Sequence, residues 1–248
     1  MNAEDVTAVF LARDEERNLP RALTSLPHGM RVLVLDARSC DRTVEFARSA
    51  GAVVIERDWS DFVDARRFAL SQVRTPWALM IDADEALDDA LRDGMLAARG
   101  DVDGYVVRRT TYYCGKPLRM WRGEALLRLF RTALARLEAR PAAGGAAALH
   151  ERWRCDGPVG ELPGTLLHFS YPDAASYRAR FTRYTDVEAA GMTPSIGRAA
   201  FEWLMIWPRL ARMLFGKGAL LDGPRGFAAA YGSARYRFVC ERKAFRHR

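Results

Sequence analysis

Three carboxylates, Asp82, Asp84 and Glu85, follow the continuous apolar run Trp77-Ala78-Leu79-Met80-Ile81, and the first two are spaced Asp-x-Asp. Acids this close repel one another unless a cation lies between them. Oxygen donors of this kind suit Mg²⁺ or Mn²⁺, ions that also bind a substrate's phosphates. The alternative is that Asp84 and Glu85 open the next helix, where acids are favoured. Asp36 closes a second apolar run, Val32-Leu33-Val34-Leu35. It either hydrogen-bonds a base or a ribose, or caps the turn that follows it.

The elements around these acids alternate. Strands are expected at Val6–Ala12, Arg31–Asp36, Ala52–Glu56 and from Trp77 onward. Between them lie helices through Leu19–Leu26, Thr43–Ala50 and Phe62–Val73, the last carrying Arg66-Arg67. Pro27-His28-Gly29 and Gly51 end the first two helices. Alternation with short connections predicts an α/β fold with a parallel, doubly wound sheet. Such sheets take their ligands at the C-terminal ends of the strands, so Asp36 and Asp82 would face one crevice. No glycine-rich dinucleotide fingerprint or Walker lysine motif is present. Beyond Gly104, Tyr105–Arg109 and Leu126–Arg131 read as further strands. They flank an aromatic loop, Tyr112-Tyr113-Cys114-Gly115-Lys116-Pro117 with Trp121, which is either a binding surface or a buried aromatic edge. Ala142-Ala143-Gly144-Gly145 reads as a flexible stretch.

With 248 residues, 49% of them apolar, the chain can bury a sizeable core. No signal-peptide-like run opens it, and Cys40, Cys114, Cys155 and Cys240 show no Cys-x-x-Cys spacing, so a reducing cytosol is expected. The net charge is +7. From Arg198 onward eleven Lys and Arg face only Glu202, Asp222 and Glu241, leaving +8 on the tail and −1 on the rest. The tail also holds Phe201-Glu202-Trp203-Leu204-Met205-Ile206-Trp207-Pro208, too short and too charged to span a bilayer. It reads either as an amphipathic helix on an anionic membrane surface or as a face packed on the body or a second copy, as in a homo-oligomer. Nucleic acid is a poorer partner, since no recognition module accompanies the charge.

Taken together, several stretches resemble the inverting glycosyltransferases of family two, and within them the lipopolysaccharide-core heptose glucosyltransferases. They are Val34-Leu35-Asp36 with Ser39-Cys40-Asp41-Arg42-Thr43, Glu56-Arg57-Asp58-Trp59, Ile81-Asp82-Ala83-Asp84-Glu85 and Leu127-Arg128-Leu129-Phe130-Arg131. His150-Glu151, Gly157-Pro158-Val159-Gly160, Leu167-His168-Phe169-Ser170-Tyr171, Leu221-Asp222-Gly223 and Gly226-Phe227 extend the likeness over nearly the whole chain.

The resemblance implies a GT-A catalytic domain over residues 1–172 and a helical region over 173–248. It implies a nucleotide-sugar donor held by Arg13, Asp36, Arg66 and Asp82, and a divalent metal (Mg²⁺ or Mn²⁺) at Asp82 and Asp84. Glu151 falls where related enzymes carry the catalytic base, with Glu124 as the competing base. His168 falls where many carry a late metal ligand, although Leu166, Leu167 and Phe169 around it equally suit a core histidine. The implied reaction moves a hexose, glucose from UDP-glucose, to a lipid-linked saccharide such as the lipopolysaccharide inner core. The implied place is the cytoplasmic face of the inner membrane, as a peripheral protein. Three positions depart from the family pattern. Asp14 stands where Asn is usual, Arg38 where a small residue or Gly is usual, and Arg122-Gly123-Glu124 where a Tyr-Pro-Asp-like stretch is usual. A sugar nucleotidyltransferase, or a non-catalytic protein keeping the donor fold, would be the other ways to use such a sheet.

Overall fold

The run Val6-Thr7-Ala8-Val9-Phe10-Leu11-Ala12 has no polar face to offer water, and it forms β1 (Val6–Ala12), buried at every position. On one side it pairs in parallel with β2 (Arg31–Asp36), which pairs in parallel with β3 (Val53–Glu56). On the other it pairs in parallel with β4 (Trp77–Met80). The crossovers are α1 (Leu19–Thr24), α2 (Thr43–Ser49) and α3 (Phe62–Ser71), the last capped by Asp61, which accepts the Val63 N–H. The computed structural model describes residues 1–59, 61–140 and 150–246, with backbone alone at 139, 140, 150 and 151.

The rest of the sheet comes from β5 (Glu85–Leu87), β6 (Gly104–Tyr113), β7 (Lys116–Arg131) and β10 (Val159–Tyr171), giving the order β3-β2-β1-β4-β7-β6-β10-β5. β7 runs antiparallel to β4, and β5 antiparallel to β10. A separate pair joins β8 (Ala135–Arg140) to β9 (His150–Cys155). The sheet is therefore mixed, parallel where the alternating pattern predicts it and antiparallel beyond β4.

The acids follow the end of β4 at Met80, as the apolar run predicts, and Glu85 starts a new strand on the far edge. Two other readings change in detail. Asp84 and Glu85 do not open a helix, since α4 (Asp89–Ala97) begins later, capped by Asp88, which accepts the Leu91 N–H at 2.8 Å. The aromatic stretch is a hairpin rather than a loop. Only Cys114 and Gly115 form its turn, both with positive φ (49° and 75°), as two-residue turns between right-twisted strands require.

The chain divides into two compact units. Met1–Thr110, Gly123–Ala139 and Glu151–Phe169 form the first, while Thr111–Arg122 and Ser170–Arg248 belong to the second. The first unit's core gathers Phe10, Val34, Leu79, Ile81 and Leu129 from one face of the sheet with Leu19, Leu91 and Met95 of the helices packed on it. The second contains α5 (Ala174–Ala190), α6 (Ile196–Leu204), α7 (Ile206–Ala211) and α8 (Gly223–Ala244). Its core combines Tyr113, Leu118 and Met120 with Ile206, Leu210, Ala229, Ala230 and Ala234. Small residues on α8 let α5 come close: a Cβ on Gly232 would lie 2.1 Å from the Tyr177 hydroxyl.

Candidate active site

Because β1 to β4 are parallel, Ala12, Asp36, Glu56 and Met80 end at one edge of the sheet. The chain leaving β4 makes a tight turn there. Glu85 N–H donates to the Asp82 carbonyl at 2.9 Å, and the Glu85 carboxylate accepts the Asp82 N–H at 3.0 Å. This turn exposes part of Asp82 and sends Glu85 into the interior, where its side chain is wholly buried.

Guanidinium groups meet both acids. Arg66 on α3 donates to Asp82 Oδ1 at 2.8 Å. Arg128 on β7 bridges the two, reaching Asp82 Oδ2 at 3.1 Å and Glu85 Oε1 at 2.8 Å. Arg109 on β6 shares Glu85 Oε1 at 3.0 Å and grips Glu124 at 2.6 Å and 3.1 Å. Three guanidiniums thus meet three carboxylates, and much of the positive charge that the acid cluster demands comes from the protein itself. Burial opposes the charge on Asp82, but Arg66 and Arg128 outweigh it and hold the carboxyl well below the usual carboxylate range. Burial likewise works against Arg128, yet Glu85 and Asp82 raise its affinity for the proton. Arg128 Nε is buried without a hydrogen-bond partner among the described residues.

Asp84 faces a different neighbour. Its Oδ2 lies 3.3 Å from His168 Nε2, and its carbonyl accepts the Phe169 N–H at 2.8 Å. The β5–β10 ladder sets this meeting by pairing His168 with Glu85 in register. Arg21 stacks on the Phe169 ring at 3.6 Å from its centroid. His168 is therefore not packed only among the aliphatics that surround it in sequence. Among the described residues no three His, Cys, Asp or Glu side chains converge on one point. The Asp84–His168 pair still offers one carboxylate and one imidazole. That donor set suits a divalent ion whose remaining oxygens come from a bound diphosphate.

The other expected residues fall as follows. Asp36 is fully buried and accepts from both the main-chain N–H (2.7 Å) and the hydroxyl (2.5 Å) of Ser39, so it caps its own turn. Arg13 is exposed at the end of β1, 3.9 Å from Asp14. Glu124 is half-exposed and committed to Arg109. Glu151 lies in β9, and its side chain is outside the described residues. Ser39, Cys40, Asp41, Arg42 and Thr43 knit the loop after β2 to the loop after β1. Asp14 N–H donates to Ser39 Oγ (2.9 Å), Glu15 N–H to Thr43 Oγ1 (2.7 Å) and Glu16 N–H to Asp41 (3.0 Å). In return Cys40 N–H donates to Asp14 (2.8 Å) and Arg42 N–H to Glu16 (3.2 Å).

Arg109 and Arg128 read from sequence as strand residues only, and neither stands among the expected site residues. A signal for them exists, since an arginine inside the apolar run Leu126–Phe130 must find a buried partner. The residues usual at positions 14 and 38, Asn and Gly, also acquire a reason. Both positions, held here by Asp14 and Arg38, have φ of +55°, a conformation that Asn and Gly adopt at least cost.

The comparisons with known proteins bear on this geometry. The description Glycosyl transferase family 2 matches residues 7–152. The lipopolysaccharide core biosynthesis glycosyltransferase LpsC of Rhizobium meliloti is 29% identical over 254 residues, 97% of this chain and 92% of that protein. An uncharacterized glycosyltransferase of Rickettsia typhi is 34% identical over 128 residues, 50% of this chain and 42% of its own length. Among solved structures, the mannosyltransferase PcManGT of Pyrobaculum calidifontis, in complex with GDP-Man and Mn²⁺, aligns with a TM-score of 0.53. That alignment covers 97% of this chain and 87% of PcManGT at 14% identity, a likeness of fold. The family match runs from β1 to the start of β9 and takes in the carboxylate turn with its arginines, so this chain, with its GT-A fold, belongs to glycosyl transferase family 2.

Proposed function

We propose that the protein transfers a hexose, glucose from UDP-glucose, with inversion, to a lipid-linked saccharide acceptor such as the lipopolysaccharide inner core. In this reading it works as a bacterial, peripheral enzyme on the cytoplasmic face of the inner membrane. The observation that carries it is the Asp82–Glu85 turn at the C-terminal edge of the parallel strands, with Arg66 and Arg128 on Asp82 and His168 beside Asp84. The near full-length likeness to a lipopolysaccharide core glycosyltransferase supports the acceptor class.

Displacement at an anomeric carbon leaves growing negative charge on the departing nucleoside diphosphate and requires a proton to leave the acceptor hydroxyl. Arg66 would meet diphosphate oxygens, and Arg13, Asp36 and Asp82 would hold the rest of the donor, Asp36 through the turn that it caps. Asp84 and His168, with Asp82, would bind Mg²⁺ or Mn²⁺, which supplies further charge stabilisation to the leaving group when present. Glu151 takes the acceptor proton, with Glu124 as its competitor. Inversion in one displacement needs a single base and no covalent nucleophile. Catalysis is assigned to residues 1–172, and a surface-contact role to 173–248.

Titration of the purified protein with a panel of nucleotide sugars, with Mn²⁺ and with EDTA, tests the reading. Selective, metal-dependent binding and slow hydrolysis of one UDP-sugar is the expected result. Failure of the folded protein to bind any panel member with metal present would sink it.

A further inference from the structure

A chain that packs one apolar helix face inward ordinarily turns a polar face outward. The segment 196–216 does not. Ile206 and Leu210 enter the second unit's core, with Met213 and Leu214 packed beside them. On the other side, Ile196, Ala200, Leu204, Trp207, Ala211 and Phe215 recur every three or four residues, and all are exposed. Trp203 is 50% exposed, Trp207 58% and Phe215 73%. Leu220 and Leu221, in the turn that follows, are exposed as well.

The charges on this segment are one-sided. Its one acid, Glu202, is largely covered and paired with Arg209, and Asp222 just beyond it is likewise covered and paired with Arg119. Arg212 and Lys217 stand exposed, with no acidic partner among the described residues. An apolar stripe with two indoles, flanked by cations and cleared of carboxylates, is complementary to a lipid surface with negative headgroups. Indole rings lie well at the boundary between acyl chains and headgroups, and Arg and Lys reach the phosphates. No helix among the described residues is long and apolar enough to cross a membrane, so the segment would lie in the interface plane.

We propose that α6, α7 and the turns after them, through Leu221, form a docking surface for an anionic phospholipid bilayer. The inference deepens the peripheral-membrane part of the proposed function and rests on it, while it is independent of the donor and metal assignments.

The test is co-sedimentation of the full chain with vesicles of phosphatidylethanolamine and phosphatidylglycerol, against vesicles of pure phosphatidylcholine. Binding to the anionic vesicles with a blue shift of indole fluorescence is expected, weakened at least about tenfold on neutral vesicles. The variants W203S/W207S and R212E/K217E should each lose about tenfold or more while keeping the wild-type circular dichroism spectrum. UDP binding, measured on the same samples, separates this outcome from any failure of the transferase reading. Absence of binding by folded wild type to the anionic vesicles would overturn the proposal. So would a stable dimer in sedimentation equilibrium that W203S/W207S dissolves, since the face would then belong to a second copy.

Discussion

Glu85 and Asp82 hold each other by two reciprocal bonds, the Glu85 carboxylate on the Asp82 N–H at 3.0 Å and the Asp82 carbonyl on the Glu85 N–H at 2.9 Å. Glu85 is thereby a positioning residue. It fixes the turn that presents Asp82, and it anchors Arg109 and Arg128 from below.

Removing that buried charge should be costly. Glu85→Gln leaves two buried guanidiniums short of a carboxylate, and a loss of about 3 kcal/mol in urea unfolding is expected. A loss below about 1 kcal/mol would show that Arg109 and Arg128 do not depend on it.

Acid should act through Asp82. Arg66 and Arg128 depress its folded-state pKa. Its stabilising contribution is therefore complete above the unfolded value, about pH 4, and lost as pH falls toward the lower folded value. In Arg128→Met that contribution is smaller from the start. The stability gap between wild type and variant should accordingly shrink as pH drops below about 4, as read by unfolding at stepped pH. A gap independent of pH would assign Arg128 a packing role only.

The metal assignment predicts a shared phenotype. Asp84→Ala and His168→Ala should each reduce Mn²⁺-dependent UDP affinity by about ten- to a hundredfold in calorimetry and leave the metal-free affinity nearly unchanged. If His168→Ala binds UDP and Mn²⁺ like wild type, His168 serves only to orient Asp84.

Two glutamates compete for the proton. Glu151→Gln should lower the transfer rate by at least about a hundredfold with donor binding intact, and Glu124→Gln by much less. The reverse ranking would hand the role to Glu124 and make its grip by Arg109 part of the chemistry.

The left-handed backbone at Asp14 makes a stability prediction. Asp14→Asn keeps an acceptor for the Cys40 N–H and suits the φ of +55°, so thermal unfolding should stay close to wild type. Asp14→Val loses the acceptor and puts a branched side chain in a strained conformation, for an expected cost of about 2 kcal/mol.

Much of the parallel half is legible in the amino-acid sequence. Hydrophobic runs ending at Ala12, Asp36 and Glu56, with glycine and proline between, fix strands and crossovers locally, and β1 to β3 and α1 to α3 lie within two residues or so of the expected bounds. The last residue of β4 is not legible, because Met80-Ile81 continues the apolar run and the chain is turned by the reciprocal bonds between Asp82 and Glu85. The Cys114-Gly115 hairpin lacks the Asn-Gly or Asp-Gly signature of such turns, so its aromatic neighbours read as a loop. The arginine partners escape for another reason. Arg66, Arg109 and Arg128 reach their acids across separations of 15 to 46 residues, which no local pattern encodes.

Five amides cross between the loops after β1 and β2, each donating to a side chain of the opposite loop. The consequence concerns timing. Loops held this way open together, so the amides of Asp14, Glu15, Glu16, Cys40 and Arg42 should show one common opening free energy in deuterium exchange, higher than free loops allow. An edge ordered in advance spends little entropy when a ligand arrives, and association there would be limited by diffusion and charge rather than by a folding step.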